Sequence, residues 1–334
     1  MNTKEINNMF DRFNDLNIMV IGDVMVDSYM WGSVDRISPE APIPIVSVNK
    51  RENRLGGAAN VALNVQSLGA RPLLCSVAGN DDRKDLFLGL MQKRGMDTSG
   101  ILISEERETT AKTRIISSSQ QLLRVDEENN DKVSRNTEKQ FTGLLQELLS
   151  SKKIDAVIFE DYDKGVITPG VINKITELAS KKNIPVSADP KKRNFSHYKG
   201  IDLFTPNLKE LCDGLRTDIP KGDMEAISRA ALKLQETNRI KYLMVTLSEM
   251  GIYLSFGNQG RLVPTEVRSI ADVSGAGDTV ISVATACLAT GASPEDMTLV
   301  ANLAGGLVCG EVGVVPVDRD KLITETLLLF KSGK

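Results

Sequence analysis

From about Phe141 the chain alternates apolar runs with amphipathic stretches in a regular order, and this alternation narrows the possible folds more than any other feature. It predicts a helix over 141–151, a strand over 155–159, a helix over 169–182, strands over 184–188 and 202–205, a helix over 221–236 and a strand over 242–246. Strands separated by helices do not pair as tight hairpins; they lie parallel, with the helices packed on both faces of the sheet. Ligands of such sheets bind beyond the carboxyl ends of the strands. Antiparallel edge strands are expected at 251–256 and 261–264, and helices at 278–290, 295–309 and 318–331 complete the fold.

The stretch Asp272-Val273-Ser274-Gly275-Ala276-Gly277-Asp278-Thr279 leads into the helix expected at 278–290. Gly275, Ala276 and Gly277 let backbone N–H groups converge where that helix presents its positive end, which favours a phosphate. Asp278 falls in the first turn, where any acid complements the helix dipole. A dipole-complementing acid needs no Gly-Ala-Gly before it. A general base beside an anion hole needs both, amides to neutralise a moving phosphoryl group and a carboxylate to take the acceptor's proton. Phosphoryl transfer to a hydroxyl, with Asp278 as base, is the expected chemistry.

With 334 residues, 41% of them hydrophobic and 25% charged, the chain can build one large α/β core with an appendage, and a single domain over 1–334 is expected. The net charge of −3 argues against a nucleic-acid partner. Cys75, Cys212, Cys287 and Cys309 are far apart and form no Cys-x-x-Cys pair, which argues against a zinc site or disulfide framework. His197 is the single histidine, which sets aside histidine triads and His-rich metal clusters. The most apolar stretch, Met297 to Cys309, is too short to span a membrane, and the first residues lack the apolar run of a signal peptide, so a cytoplasmic protein without a membrane partner is expected.

Upstream, Ile18 to Ile21 reads as a buried strand ending at Gly22, with Asp23 and Asp27 beyond it as candidates for sugar hydroxyls; Asp23 reads equally as a turn-forming residue. Gly56-Gly57-Ala58-Ala59-Asn60 opens a helix running to about Leu68. It is not the Gly-x-Gly-x-x-Gly of a dinucleotide site; Gly56 and Gly57 permit close approach of a ligand, and Asn60 offers a donor and an acceptor to a hydroxyl. Two β-rich patches, about 29–48 and 109–126, are expected to pair as a small sheet, the first as edge strands interrupted by turns. Such a sheet leaves an apolar face, so a homodimer through it is expected. Arg36, Lys112, Arg114 and Arg124 lie in these patches. They read either as edge-strand charges or as a clamp for a phosphate already on the substrate.

The Asp272–Thr279 stretch resembles the C-terminal signature of the ribokinase-like (PfkB) carbohydrate kinases. Gly22–Asp27, Arg36–Pro42, Gly56–Ala62, Gln120–Arg124 and Thr205–Leu208 resemble the heptose-7-phosphate kinase branch of that family, and the likeness runs from about residue 10 to about residue 330. The resemblance implies a ribokinase-like three-layer α/β/α fold, with a mostly parallel central sheet and a small β-sheet lid over the sugar. It further implies ATP, Mg²⁺ and potassium at the site, and transfer to the anomeric hydroxyl of D-glycero-D-manno-heptose 7-phosphate. By the family's pattern Asp278 is the base and 275–277 the anion hole, Asp27 binds the sugar, and Asp161, Asp189 and Lys191 serve the site, with Lys191 as a phosphate counter-charge and Lys164 near it; any of these four also reads simply as a salt-bridged loop residue. Asn207 and Glu210 organise Mg²⁺ through water, a capping box being the plain alternative or companion role. Thr246 and Ser248 meet the nucleotide, although many relatives have Gly at the latter position. Asn302 lies near the adenine or caps a helix contact, and Asp272 and Ser274 belong to the monovalent-cation site. Some relatives carry a fused nucleotidyltransferase; none is expected after Lys334, so that step is assigned to another protein. The rival expectations are a kinase of another sugar, such as ribose or a fructose phosphate, and a non-catalytic sugar-phosphate sensor.

Overall fold

The computed structural model describes residues 1–117, 120–265, 271–311 and 313–331. In chain order the first half runs α1 (Thr3–Phe13), β1 (Asn17–Gly22), β2 (Val24–Ile37), β3 (Pro44–Gly57), α2 (Ala58–Ser67), β4 (Arg71–Gly79), α3 (Asp82–Lys93), β5 (Ile101–Ser104), β6 (Ala111–Ser117), β7 (Gln120–Glu127) and α4 (Arg135–Ser151). The second runs β8 (Ala156–Glu160), α5 (Pro169–Lys181), β9 (Val186–Asp189), β10 (Leu203–Phe204), α6 (Leu208–Leu215), α7 (Met224–Asn238), β11 (Tyr242–Thr246), β12 (Ile252–Phe256), β13 (Gln259–Val263), α8 (Ala276–Ala289), α9 (Pro294–Val308) and α10 (Arg319–Lys331).

The larger sheet has the order β13-β12-β11-β10-β9-β8-β1-β4-β5 and is parallel except that β12 runs against both of its neighbours. Its central strands are apolar throughout because both faces are covered. Ile18, Val20, Ala156 and Ile158 belong to the core shared with α1, α2 and α8–α10, whereas Met19, Ile21, Val157 and Phe159 face the core shared with α4–α7. The alternation read from the sequence is this pair of helical layers.

The smaller sheet has the order β3-β2-β6-β7. Here the structure differs from the expectation of interrupted edge strands: β2 and β3 form one long hairpin leaving the core at Val24 and returning at Gly57. Two irregularities, at Trp31/Gly32 and Val34/Arg36, absorb its bending. Pro39 and Pro42 fall in the hairpin's connection and Pro44 is the first residue of β3, places where a missing N–H costs little. Gly57 caps α2 with φ 62, and a Cβ there would stand 2.3 Å from the Asp23 carbonyl oxygen, so the hairpin can return to the core only through a glycine. All four cysteines are free, and among the described residues no helix is long and apolar enough to cross a membrane.

Candidate active site

The carboxyl ends of β1, β8 and β9 are level, with Gly22 opposite Glu160 and Glu160 opposite Asp189. The first turn of α8 meets this edge: a Cβ on Gly277 would lie 3.3 Å from Asp189 Oδ2. Gly275 is the N-cap, with φ 80 and no side-chain bond to the turn; the Ala276 N–H turns back to the Val273 carbonyl at 3.4 Å, and no side chain of the N-cap covers the Gly277 and Asp278 amides. Asp278 is 6% exposed. Its Oδ2 accepts from Asn60 Nδ2 at 2.6 Å and its Oδ1 from the Tyr162 hydroxyl at 2.9 Å. Burial holds its carboxyl above the usual aspartate value, against the pull of Asn60, Tyr162 and Lys191. A Cβ on Gly275 would stand 3.0 Å from Asn60 Nδ2, so the glycine also clears room for the amide that meets the carboxylate. Asn60 Oδ1 is buried without a partner among the described residues, an acceptor still to be satisfied.

Two acids expected at the sugar are engaged elsewhere. Asp23 is 1% exposed and accepts the backbone N–H groups of Tyr162, Lys164 and Val166 at 3.0, 3.1 and 3.0 Å. Asp161 accepts from the Asp163 N–H, Asn194 Nδ2 and the Tyr198 hydroxyl at 2.9, 2.9 and 3.0 Å. Burial and the neighbouring Asp23 push Asp161 up to about 6. Both acids anchor the segment after β8, Asp23 by taking three of its amides and Asp161 by tying it to Asn194 and Tyr198 beyond β9. Lys164 is drawn to Glu128 and Asn130.

Asp27 is buried beneath Gly56, where a Cβ would meet Asp27 Oδ2 at 2.6 Å, and it pairs with Arg114 Nη1 at 2.6 Å. Arg114 lies 5.3 Å from the Tyr29 ring and Arg54 4.7 Å from the same ring. Arg54 Nη1 lies 2.9 Å from where a Gly313 Cβ would be, which places it against the segment that also binds Asp272. The sequence did not mark Arg54, since one charge on a strand carries no pattern. For Lys112 the ion pairs favour the plainer of its two readings: Asp126 on β7 and Glu128 just beyond it each take its Nζ at 2.9 Å. Arg124 pairs with Asp126, and Arg36 is exposed towards the hairpin's far end.

On the other side, Lys191 Nζ bridges Glu210 Oε1 at 2.5 Å and Asp189 Oδ1 at 3.5 Å. Burial raises Asp189 to about 7, with Lys191 opposing and Glu210 and Asp278 reinforcing. Glu160, unremarked in the sequence, is buried with neither carboxyl oxygen bonded among the described residues, and burial and Asp189 hold it well above the usual range. Asn207 caps α6 in a capping box: its Oδ1 accepts the Glu210 N–H and its own N–H donates to Glu210 Oε2, both at 2.9 Å. Asn207, Thr246 and Ser248 line one cleft of about 620 Å³ together with Lys209 and Asp213. Asn302 lies apart from that cleft, donating to the Val263 and Pro264 carbonyls and accepting from Thr265, and so ties α9 to the end of β13. Asp272 accepts the N–H groups of Ser274 and Gly313, which outweigh its burial and hold it below the usual value. Among the described residues no group of three His, Cys, Asp or Glu side chains is placed to hold a metal ion by itself.

A mostly parallel sheet, an uncapped helix N-terminus at its carboxyl edge and a buried carboxylate in that helix's first turn define an enzyme that moves a phosphoryl group onto a hydroxyl. The chain belongs to the pfkB family of carbohydrate kinases, whose model matches residues 15–320; it is a sugar kinase. It is 36% identical to the bifunctional protein HldE of Geobacter metallireducens over 97% of this chain and 65% of that one. It is 37% identical to HldE of Geobacter sulfurreducens, again over 97% and 65%. It thus spans about 65% of the length of these relatives. Among solved structures it resembles Escherichia coli phosphofructokinase-2 in complex with potassium, with a TM-score of 0.75, 18% identity and coverage of 95% of this chain and 99% of that one. Arabidopsis thaliana ribokinase complexed with ribose and ATP gives a TM-score of 0.68 at 17% identity, over 93% and 98%. The fold is the ribokinase-like one expected from the motifs.

Proposed function

We propose that the chain transfers the terminal phosphoryl group of ATP to the anomeric hydroxyl of D-glycero-D-manno-heptose 7-phosphate, giving the 1,7-bisphosphate used for nucleotide-activated heptose and surface glycans. The observation that carries the chemistry is Asp278, buried in the first turn of α8 beside uncapped amides. Asp278 takes the hydroxyl proton, and the amides from Gly275 to Asp278 receive the charge of the moving group. Asp27 and Asn60 Oδ1 supply acceptors for sugar hydroxyls, and the smaller sheet acts as the lid. Likeness to HldE and the motifs around Arg36–Pro42 support heptose over ribose or a fructose phosphate.

Mg²⁺, when bound, neutralises the outer phosphates of ATP. Asn207 and Glu210 fit its preference for oxygen ligands reached through retained water. Potassium is assigned to Asp272 and Ser274, supported by the potassium in E. coli phosphofructokinase-2. The reaction is placed in the cytoplasm, where ATP is available. A coupled ADP-release assay over a panel of sugars and sugar phosphates, with Mg²⁺ or with EDTA, tests this reading. Heptose 7-phosphate should give the highest kcat/KM, and only with the metal. A higher value for another sugar would transfer the assignment to that substrate, turnover in EDTA would remove the metal, and no turnover on any sugar would favour the sensor.

The smaller sheet exposes Ile37 (59%) and Leu123 (54%), with Val125 on the same face of β7 as Leu123 and Ile43 (57%) in the hairpin's connection. A second copy of the chain, lid against lid, is the cover we assign to these side chains. Sedimentation at about 10 μM should give twice the 36.4 kDa chain mass; a monomer would rule out that assembly.

A further inference from the structure

We infer that Tyr162 is a positioning residue for phosphoryl transfer: its hydroxyl, placed by a loop that Asp23 and Asp161 anchor, fixes the carboxylate of Asp278 from the side opposite Asn60. This rests on Asp278 as the base. Each oxygen of that carboxylate has one donor, Asn60 Nδ2 at 2.6 Å on Oδ2 and the Tyr162 hydroxyl at 2.9 Å on Oδ1. A carboxylate held at both oxygens cannot rotate, and each oxygen keeps a lone pair for an incoming hydroxyl.

The support beneath Tyr162 is equally specific. Its backbone N–H donates to Asp23 Oδ2, which also takes the Lys164 N–H, while Oδ1 takes that of Val166. Asp161, next to it in the chain, is tied to Asn194, Tyr198 and the Asp163 N–H. The carboxylates of two buried acids therefore hold one short loop whose side chain reaches the base. Lys191 Nζ lies 5.6 Å from the Tyr162 ring and bonds Glu210, so the ring whose hydroxyl meets the base also packs near the Lys191–Glu210 pair.

Asp278 is faced by Asn60 from α2, Asp27 from β2, Glu160 from β8, Tyr162 from the following loop, and Asp189 and Lys191 from the end of β9. Of these, Asn60 and Tyr162 donate hydrogen bonds to its carboxylate, and a donor favours the ionised form. Loss of the Tyr162 hydroxyl therefore raises the pKa of Asp278, and activity on the acid side of the profile is lost at a higher pH than in the wild type.

Tyr162→Phe keeps the ring and removes the bond. The purified full chain carrying it should keep its Tm and its KM for ATP, lose about 10-fold in kcat, the scale of one charge-assisted hydrogen bond, and show its acid limb displaced to higher pH. In an Asp278→Asn background the same change should alter kcat by less than about twofold, because residues that act through one another are not additive. An unchanged kcat and pH profile in Tyr162→Phe, or a full additional loss in the double variant, would overturn the inference. Wild-type turnover in Asp278→Asn alone would instead remove the base, a separate failure read from the single variant.

Discussion

Asp278→Asn lowers kcat by at least about 100-fold, the usual scale for loss of a general base, while ATP still binds. The substitution keeps size and shape at a position 6% exposed, so the packing of α8 is retained. It also keeps an oxygen for the Tyr162 hydroxyl, and Asn60 can turn its amide to present Oδ1 to the new side chain. What it removes is a group able to take a proton. Burial already holds the Asp278 carboxyl above the ordinary aspartate value, which makes it a better base near neutral pH than an exposed acid. The amides at the start of α8 do not depend on this side chain, so their contribution to charge stabilisation survives and leaves a residual rate. Steady-state kcat together with calorimetric titration of ATP checks both halves. Turnover near that of the wild type would sink the assignment.

The layers and the glycine-rich start of α8 could be read in the sequence because both have a periodic or compositional cause. Strands covered on two faces must be apolar at every position, as Ile18–Ile21 and Ala156–Phe159 are, and a helix that opens from a left-handed turn takes a glycine there, as at Gly275. The partners of buried acids have no such signature. Asp23 and Asp27 both follow β1 within a few residues, yet one binds three amides and the other an arginine. That choice depends on where a loop some 140 residues away returns, which spacing along the chain does not encode. Tyr162 and Glu160 were missed for the same reason: their role lies in what they meet across the sheet edge. The long hairpin was misread because prolines at 39, 42 and 44 look like interruptions, whereas they occupy its connection and the first position of a strand.

Removing Arg114 should cost about 10- to 100-fold in kcat/KM on a sugar carrying a distal phosphate, and far less on the same sugar without it. The magnitude is that of one charge-assisted contact, roughly 1.5–3 kcal/mol. Four basic residues competed for this role, and their partners separate them. Lys112 is held by two carboxylates and Arg124 by one, both within their own sheet, and Arg36 is exposed towards the hairpin's far end. Arg114 instead reaches inward to Asp27 and lies beside the Tyr29 ring, with Arg54 against the same ring. Two guanidiniums against one ring, on strands either side of β2, each carry the planar, forked donors that a phosphate matches best. Because Arg114 also neutralises buried Asp27, its loss weakens binding of any sugar to some extent. The decisive quantity is therefore the ratio of kcat/KM for heptose 7-phosphate to that for heptose. Arg54→Ala provides a second test, since its Glu52 partner is partly exposed and tolerates being left alone. A ratio that falls in Arg114→Ala and in Arg54→Ala places the distal phosphate between the two arginines. If both variants lose equally on the two sugars, the arginines shape the lid and the phosphate is held elsewhere.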